Sequence, residues 1–179
     1  MSTLPIRTFG DPVLNQMTTD IEDIDGKVAA LAATMIETMY EAPGVGLAAN
    51  QIGVQKRLFV YDAGEGDGPL VVVNPRIVES DGEWVFEEGC LSVPGLSWEI
   101  LRPNQVHLVG LDLDGNDIDI EADEYLGRIF QHEVDHLDGH LLIDRLDDDQ
   151  RKAAKRTLRK MRISLSPGDP DGLHQLLGE

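Results

Sequence analysis

The chain has 179 residues, 41% of them apolar and 27% charged, the composition of one soluble globular domain able to bury its own core. Its formal net charge of −18 argues against a general affinity for DNA or other nucleic acid, because phosphate binding needs clustered Lys and Arg. The segment Met1-Ser2-Thr3-Leu4-Pro5-Ile6-Arg7 lacks the features of a signal peptide, and no run approaches the roughly 20 apolar residues of a membrane span. Cys90 is the single cysteine, which excludes an internal disulfide and points to the cytoplasm.

Residues 1–24 carry Gly10-Asp11-Pro12 and little periodicity, and read as an extended lead-in. From Asp25 onward Val28, Leu31, Ala32, Met35, Ile36 and Met39 recur at helical spacing, predicting a helix that Ala42-Pro43-Gly44 stops. Residues 44–53 are mostly small, which allows close backbone approach. They lack the glycine spacing of a dinucleotide loop and the Lys-Ser/Thr of a P-loop, and read as a tight loop ahead of a strand.

Residues 58–61 and 70–73 are apolar runs bounded by Gly, Asp and Pro, the pattern of buried strands. Residues 82–86 predict a further strand that runs into a turn at Gly89-Cys90. Residues 106–111 and 118–120 flank Asp114-Gly115, a hairpin signal. The central helix is predicted over 124–138, with Leu126, Ile129, Phe130 and Leu137 inward and Gly139 at its end.

Asp147-Asp148-Asp149 predicts the cap of a last helix reaching Met161, and 166–172 reads as a loosely held tail. Turns rather than helices join the strands, so the expected fold class is α+β. Mostly antiparallel sheets pack around a central metal-binding helix, with an N-terminal and a C-terminal helix added. Residues 1–146 are expected to form the catalytic domain, and 147–179 an appended basic helix and flexible tail of the same domain.

The chemistry concentrates in Gln131-His132-Glu133-Val134-Asp135-His136. Two His four apart on a helix differ by about 6 Å of rise and roughly 40° of rotation, so they share a face and can grip one metal ion. Glu133, directly after the first His, is a candidate general base. A catalytic site of this kind takes a third protein ligand and keeps one position open. His107 reads as an ordinary strand residue, His140 follows the helix-ending Gly139, and His174 lies in the tail. Cys90 is the best third ligand: a thiolate binds zinc or ferrous iron well, and the two His residues outweigh the prior that a lone Cys is a small buried hydrophobe.

Three segments then fall into register: Gly44-Val45-Gly46-Leu47-Ala48-Ala49-Asn50-Gln51, Glu88-Gly89-Cys90-Leu91-Ser92, and the His-bearing stretch 131–136. Together with Gly10-Asp11-Pro12-Val13-Leu14 they resemble the bacterial peptide deformylases, over roughly residues 4–146. The resemblance implies a hydrolase of protein biosynthesis that removes the N-formyl group from the formyl-methionine of nascent peptides and releases formate. By position it implies Cys90, His132 and His136 as ligands of one divalent metal ion, ferrous iron in the cell, with zinc, nickel or cobalt as alternatives. Glu133 moves the proton. The Gln51 side-chain amide and the Leu91 backbone N–H serve the oxyanion.

Gly46 is expected to let the substrate backbone pass, paired as a strand. Val45 and Ile129 flank the catalytic segments and are candidates for the methionine-pocket wall, with simple core packing the equal alternative. Glu88 is expected to pair with Arg102, while Asp135 is open between partner of a ligand and solvated acid.

A metallopeptidase of the His-Glu-x-x-His kind is the first rival, although those enzymes draw the third ligand from downstream. A non-catalytic relative that keeps the metal is the second. Finally, Arg151, Lys152, Lys155, Arg156, Arg159, Lys160 and Arg162 hold seven of the fifteen basic residues. The favoured reading is a solvated amphipathic helix on an acidic body; docking to the ribosome is the other.

Overall fold

The computed structural model describes residues 2–164. After a lead-in with one 3-10 turn at Pro12–Asn15, helix α1 runs Gly26–Glu41. Asp25 caps it by accepting from the Lys27 and Val28 N–H groups. Strands β1 (Gly46–Ala48), β2 (Leu58–Tyr61) and β3 (Leu70–Asp81) follow. Next come β4 (Trp84–Cys90), β5 (Val93–Arg102), β6 (Gln105–Leu111) and β7 (Asp117–Asp123). Helices α2 (Glu124–Leu137) and α3 (Asp148–Ser164) complete the described chain.

Five strands form an antiparallel sheet in the order β1-β2-β3-β6-β7, and β4 and β5 form a separate hairpin. The sheet lies between two helices, and β2 shows why its sequence is apolar throughout. Leu58 and Val60 join Met35 and Met39 of α1 in one core. Phe59 and Tyr61 point the other way, into a second core with Phe130, Val134 and Leu137 of α2. A strand covered on both faces gains nothing from polar alternation. A third core forms where Val93 and Ile100 of β5 meet Leu142 and Ile143, together with Ala154 and Leu158 of α3.

The expected fold class agrees with this architecture, and two local expectations need correction. Residues 70–73 are only the start of β3, which continues through Asn74-Pro75 to Asp81 across register shifts. Asn74 takes a positive φ of 51° and is held by exchanging hydrogen bonds of 2.8 and 2.9 Å with the backbone of Ile21. A bulge at Pro75 thus bends a long strand rather than ending it. The second correction concerns Cys90. It is the last residue of β4, one step past a register shift, and faces Val93 of β5. Strand β5 itself is masked in the sequence by Pro94-Gly95 at its start. The tail expected at 166–172 lies outside the described residues.

Candidate metal centre and active site

Helix α2 has two working faces. One packs Ile129, Phe130 and Val134 onto the sheet; the other turns Arg128, His132 and Asp135 toward the β4–β5 hairpin. Helical spacing sets His132 and His136 side by side, with their Nε2 atoms 3.2 Å apart. The end of β4 brings Cys90 Sγ to 3.2 Å from His136 Nε2. The donor atoms of Cys90, His132 and His136 all lie within 4.8 Å of one another.

The tautomer of His132 follows from its far side. Its Nδ1 is 3.0 Å from Glu88 Oε1; a carboxylate there accepts from Nδ1–H and leaves Nε2 as the ring atom that faces the cluster. Glu88 is itself buried and clamped. Arg102 binds it through Nε at 2.8 Å and Nη2 at 3.1 Å, and Arg128 Nη1 donates at 2.8 Å. Burial pushes the Glu88 carboxyl up, but the hydrogen bonds from His132 and Arg102 and the Arg102 charge hold it down at about 2.

Arg102 also donates to Asp135 at 2.7 Å, and Arg145 donates to Asp135 from the other side at 2.9 Å. Asp135 is therefore a buried member of a charge chain, Arg145–Asp135–Arg102–Glu88–His132, rather than a solvated acid. Arg128 is fixed further by Ile100 O at 3.0 Å and by stacking over the Trp84 ring at 5.2 Å.

Gln51 reaches the centre from the 3-10 turn Ala49–Ile52 behind β1. Its Oε1 accepts from Ala48 N–H at 2.9 Å. Its Nε2 points to Ser92 Oγ at 3.1 Å and Cys90 Sγ at 3.9 Å. With the oxygen tied down, the amide presents its N–H groups to the cluster. Asn50, next to it, donates to the backbone carbonyl of His136, which locks this turn to α2.

Glu133, next to His132 in α2, lines the same cleft as Glu88. Burial raises its carboxyl above the ordinary value, although the charges of His132 and His136 pull the other way. Oε2 of Glu133 is buried without a hydrogen-bond partner. Gly46 explains how the carboxylate fits, because a Cβ on residue 46 would sit 2.5 Å from Glu133 Oε1. That contact is a second reason for the small residue expected to pass substrate backbone. Burial pushes the Cys90 thiol up, yet the neighbouring His136 and His132 hold it well below the usual range.

These groups lie at a cleft of about 620 Å³. It gathers nearly every residue singled out in the sequence: Val45, Gly46, Gln51, Cys90, Leu91, Ile129, His132 and Glu133 line it. His136 stands behind, buried, within the group of donors that could hold a metal ion. Val45 is 45% exposed at the lip while Ile129 is 4% exposed and shared with the core, so the two pocket candidates are not equivalent. The sequence reading did not single out Ser92, Asn50, Arg128 or Arg145. Ser92 and Asn50 stand inside the quoted segments, which was the available signal.

The site fits a metal ion. Two imidazoles and a thiolate converge, and the unpartnered Glu133 oxygen beside them needs a polar companion. An antiparallel α+β frame carrying this donor set next to a buried carboxylate has the makings of a mononuclear metallohydrolase. The comparisons narrow that class. The polypeptide deformylase family model matches residues 3–152. The peptide deformylase of Halothermothrix orenii is 47% identical over 146 residues, 82% of this chain and 95% of that one.

Among solved structures, the peptide deformylase from Legionella pneumophila superposes with a TM-score of 0.85 at 40% identity, covering 90% of this chain and 96% of that one. That from Ehrlichia chaffeensis in complex with actinonin gives 0.85 at 37% identity, covering 90% and 98%. The chain belongs to the polypeptide deformylase family, whose members depend on a metal ion.

Proposed function

We propose that this cleft hydrolyses the N-formyl group of formyl-methionyl peptides, with Cys90, His132 and His136 holding one divalent metal. The observation that carries the reading is the convergence of those donors beside a buried carboxylate with a free oxygen, at the floor of a cleft walled by an open sheet edge. When bound, the metal acidifies a water and polarises the formyl carbonyl. Glu133 takes the proton released during attack on the formyl carbon at Oε2 and returns it to the departing amine nitrogen. The Gln51 amide and the Leu91 N–H donate to the oxyanion, and Glu88 holds His132 in the ligating tautomer.

The peptide backbone is held as an added strand. Among the described strands β1 is the edge of the sheet and pairs with β2 alone, and Gly46 lines the cleft. An extended chain laid there directs the methionine side chain between Val45, Phe86, Tyr125 and Ile129. Residues 1–146 supply all of these groups. We read α3 as an addition, docked through Ala154 and Leu158.

In the cell we assign ferrous iron to a ligand set that also suits zinc, and place the enzyme in the cytoplasm. No helix among the described residues is long and apolar enough to cross a membrane. Ribosome docking is supported by the exposed Lys152, Arg156 and Arg159 on an otherwise acidic chain. Replacing all three by Glu should lower co-sedimentation with ribosomes, and unchanged co-sedimentation would remove that partner.

The reaction itself is tested with formyl-Met-Ala-Ser. Formate is the expected product, with the peptide otherwise intact. Cleavage of a peptide bond without formate would favour the metallopeptidase.

A further inference from the structure

Arg145 ends the 3-10 turn Leu142–Arg145, outside the cleft, with its side chain 46% exposed. An exposed arginine paired with a carboxylate ordinarily contributes little, because solvent screens the pair and ordering the side chain costs entropy. Here, however, the carboxylate is interior. Asp135 is buried in α2, between His132 and His136. Its Oδ2 accepts from Arg102 Nη1 at 2.7 Å and from Arg145 Nε at 2.9 Å, and its Oδ1 accepts from Arg145 Nη2 at 2.5 Å. Arg145 thus grips both oxygens with the fork of its guanidinium, while Arg102 reaches one.

The two arginines divide the work. Arg102 keeps Nε and Nη2 for Glu88, at 2.8 and 3.1 Å, and spares Nη1 for Asp135. Glu88 in turn meets His132 Nδ1 at 3.0 Å. Without Arg145, Asp135 would have to share the Arg102 guanidinium with Glu88, in an interior where a carboxylate short of partners is costly. The relaxation open to it is to draw Arg102 toward itself. Glu88 then loses the clamp from which it orients the His132 ring. The position of Arg145 is itself fixed by the first turn of α3: Arg151 donates from Nη2 to Leu146 O at 2.8 Å and from Nε to Ile143 O at 3.3 Å.

We propose that Arg145 is a positioning residue of the metal centre. From outside the cleft, through Asp135, Arg102 and Glu88, it holds His132 in the geometry that retains the ion. The proposal rests on the reading of Cys90, His132 and His136 as ligands of one metal, and adds to it a residue that sets how long the ion stays.

The test uses cobalt(II) as the probe ion. Full-length protein is loaded with one cobalt(II) per chain, excess chelator is added, and the decay of the thiolate-to-cobalt absorption gives the release rate. Arg145→Met should release cobalt roughly three- to tenfold faster than the wild type, below the loss expected for a residue that bonds a ligand directly. Arg145→Lys keeps the charge without the fork and should fall between the two. Arg76→Met removes an equal charge from an exposed pair with Asp20 on another part of the surface and should release at the wild-type rate. Asp135→Asn should speed release by itself, and adding Arg145→Met to it should change the rate by less than about twofold, because the path runs through that carboxylate.

A wild-type rate in Arg145→Met overturns the proposal. So does full additivity of the Asp135 and Arg145 substitutions, which would give Arg145 a route of its own, or equal acceleration in Arg76→Met, which would assign the effect to net charge. Should Asp135→Asn fail to fold, the Met and Lys variants at 145 decide the matter with Arg76→Met. A wild-type protein that takes up no cobalt would instead remove the metal reading, and this proposal with it.

Discussion

Two regions of the molecule are rich in titratable groups, and they differ in kind. Around α2, Glu88, Asp135, Arg102 and Arg128 are buried and bound to one another. At the other region, Glu79, Asp81, Glu121 and Asp123 line a groove of about 470 Å³ across β3, β6 and β7 with His107. All four of those acids are exposed. The groove holds more carboxylates than the candidate metal centre yet offers no convergent donor set and no buried polar atom without a partner among the described residues. Charge alone is what a solvated sheet face carries. Charge taken out of water, paired, and aimed at a shared point needs a compensating arrangement, and that arrangement marks the site.

The contrast can be broken in graded ways. The largest effect belongs to Glu133→Gln, which should lower kcat by about 100- to 10,000-fold while one metal per chain is still measured by elemental analysis. Near-wild-type turnover would take Glu133 out of the mechanism. Arg102→Met comes next: it leaves Glu88 and Asp135 with lost partners in the interior, for a loss of about 3–5 kcal/mol in urea unfolding. Asp119→Asn, in the exposed ion pair with His107, should change stability by less than about 0.5 kcal/mol. Equal losses in the two variants would erase the distinction drawn here. Ser92→Ala frees the Gln51 amide that its hydroxyl orients, and should cost roughly tenfold in kcat with KM little changed. A matching rise in KM would make Ser92 a packing residue only.

In pH dependence the two regions give opposite signs. Glu88 lies below its ordinary value of 4.5, at about 2, so its contribution is present above 4.5 and lost as pH falls through that interval. His107 is raised above 6.5 by its hydrogen bond to Asp119. Its contribution is full below 6.5 and fades as pH rises through the folded value. Urea midpoints followed across pH in His107→Gln should lose only the alkaline slope, and loss of the acid slope as well would mean the regions are coupled.

Much of the site was legible because its signals are local. The i, i+4 spacing of His132 and His136 is a property of one helix, and the quoted segments carry Gln51, Cys90 and Ser92 together. The alternation and turns around Asp114-Gly115 gave β6 and β7 for the same reason. The pairing of Glu88 with Arg102 was expected and is found, but several other meetings of distant groups were not legible. Arg128 reaches Glu88 across 40 positions, Gln51 reaches Ser92 across 41, and Asp135 was ambiguous until Arg102 and Arg145 closed on it. β3 and β5 were shortened or missed because Asn74-Pro75 and Pro94-Gly95 imitate breaks. In the fold, the first is a bulge pinned by Ile21 and the second opens a strand.

The central claim is that Cys90, His132 and His136 hold one metal and that this centre releases formate. The most direct measurement is the metal content of anaerobically purified protein taken alongside its rate on formyl-Met-Ala-Ser. One metal per chain is predicted, with formate release falling in proportion as a chelator strips it and returning when ferrous iron is restored. Undiminished formate release from fully stripped protein would contradict the account, as would metal-loaded protein that releases none.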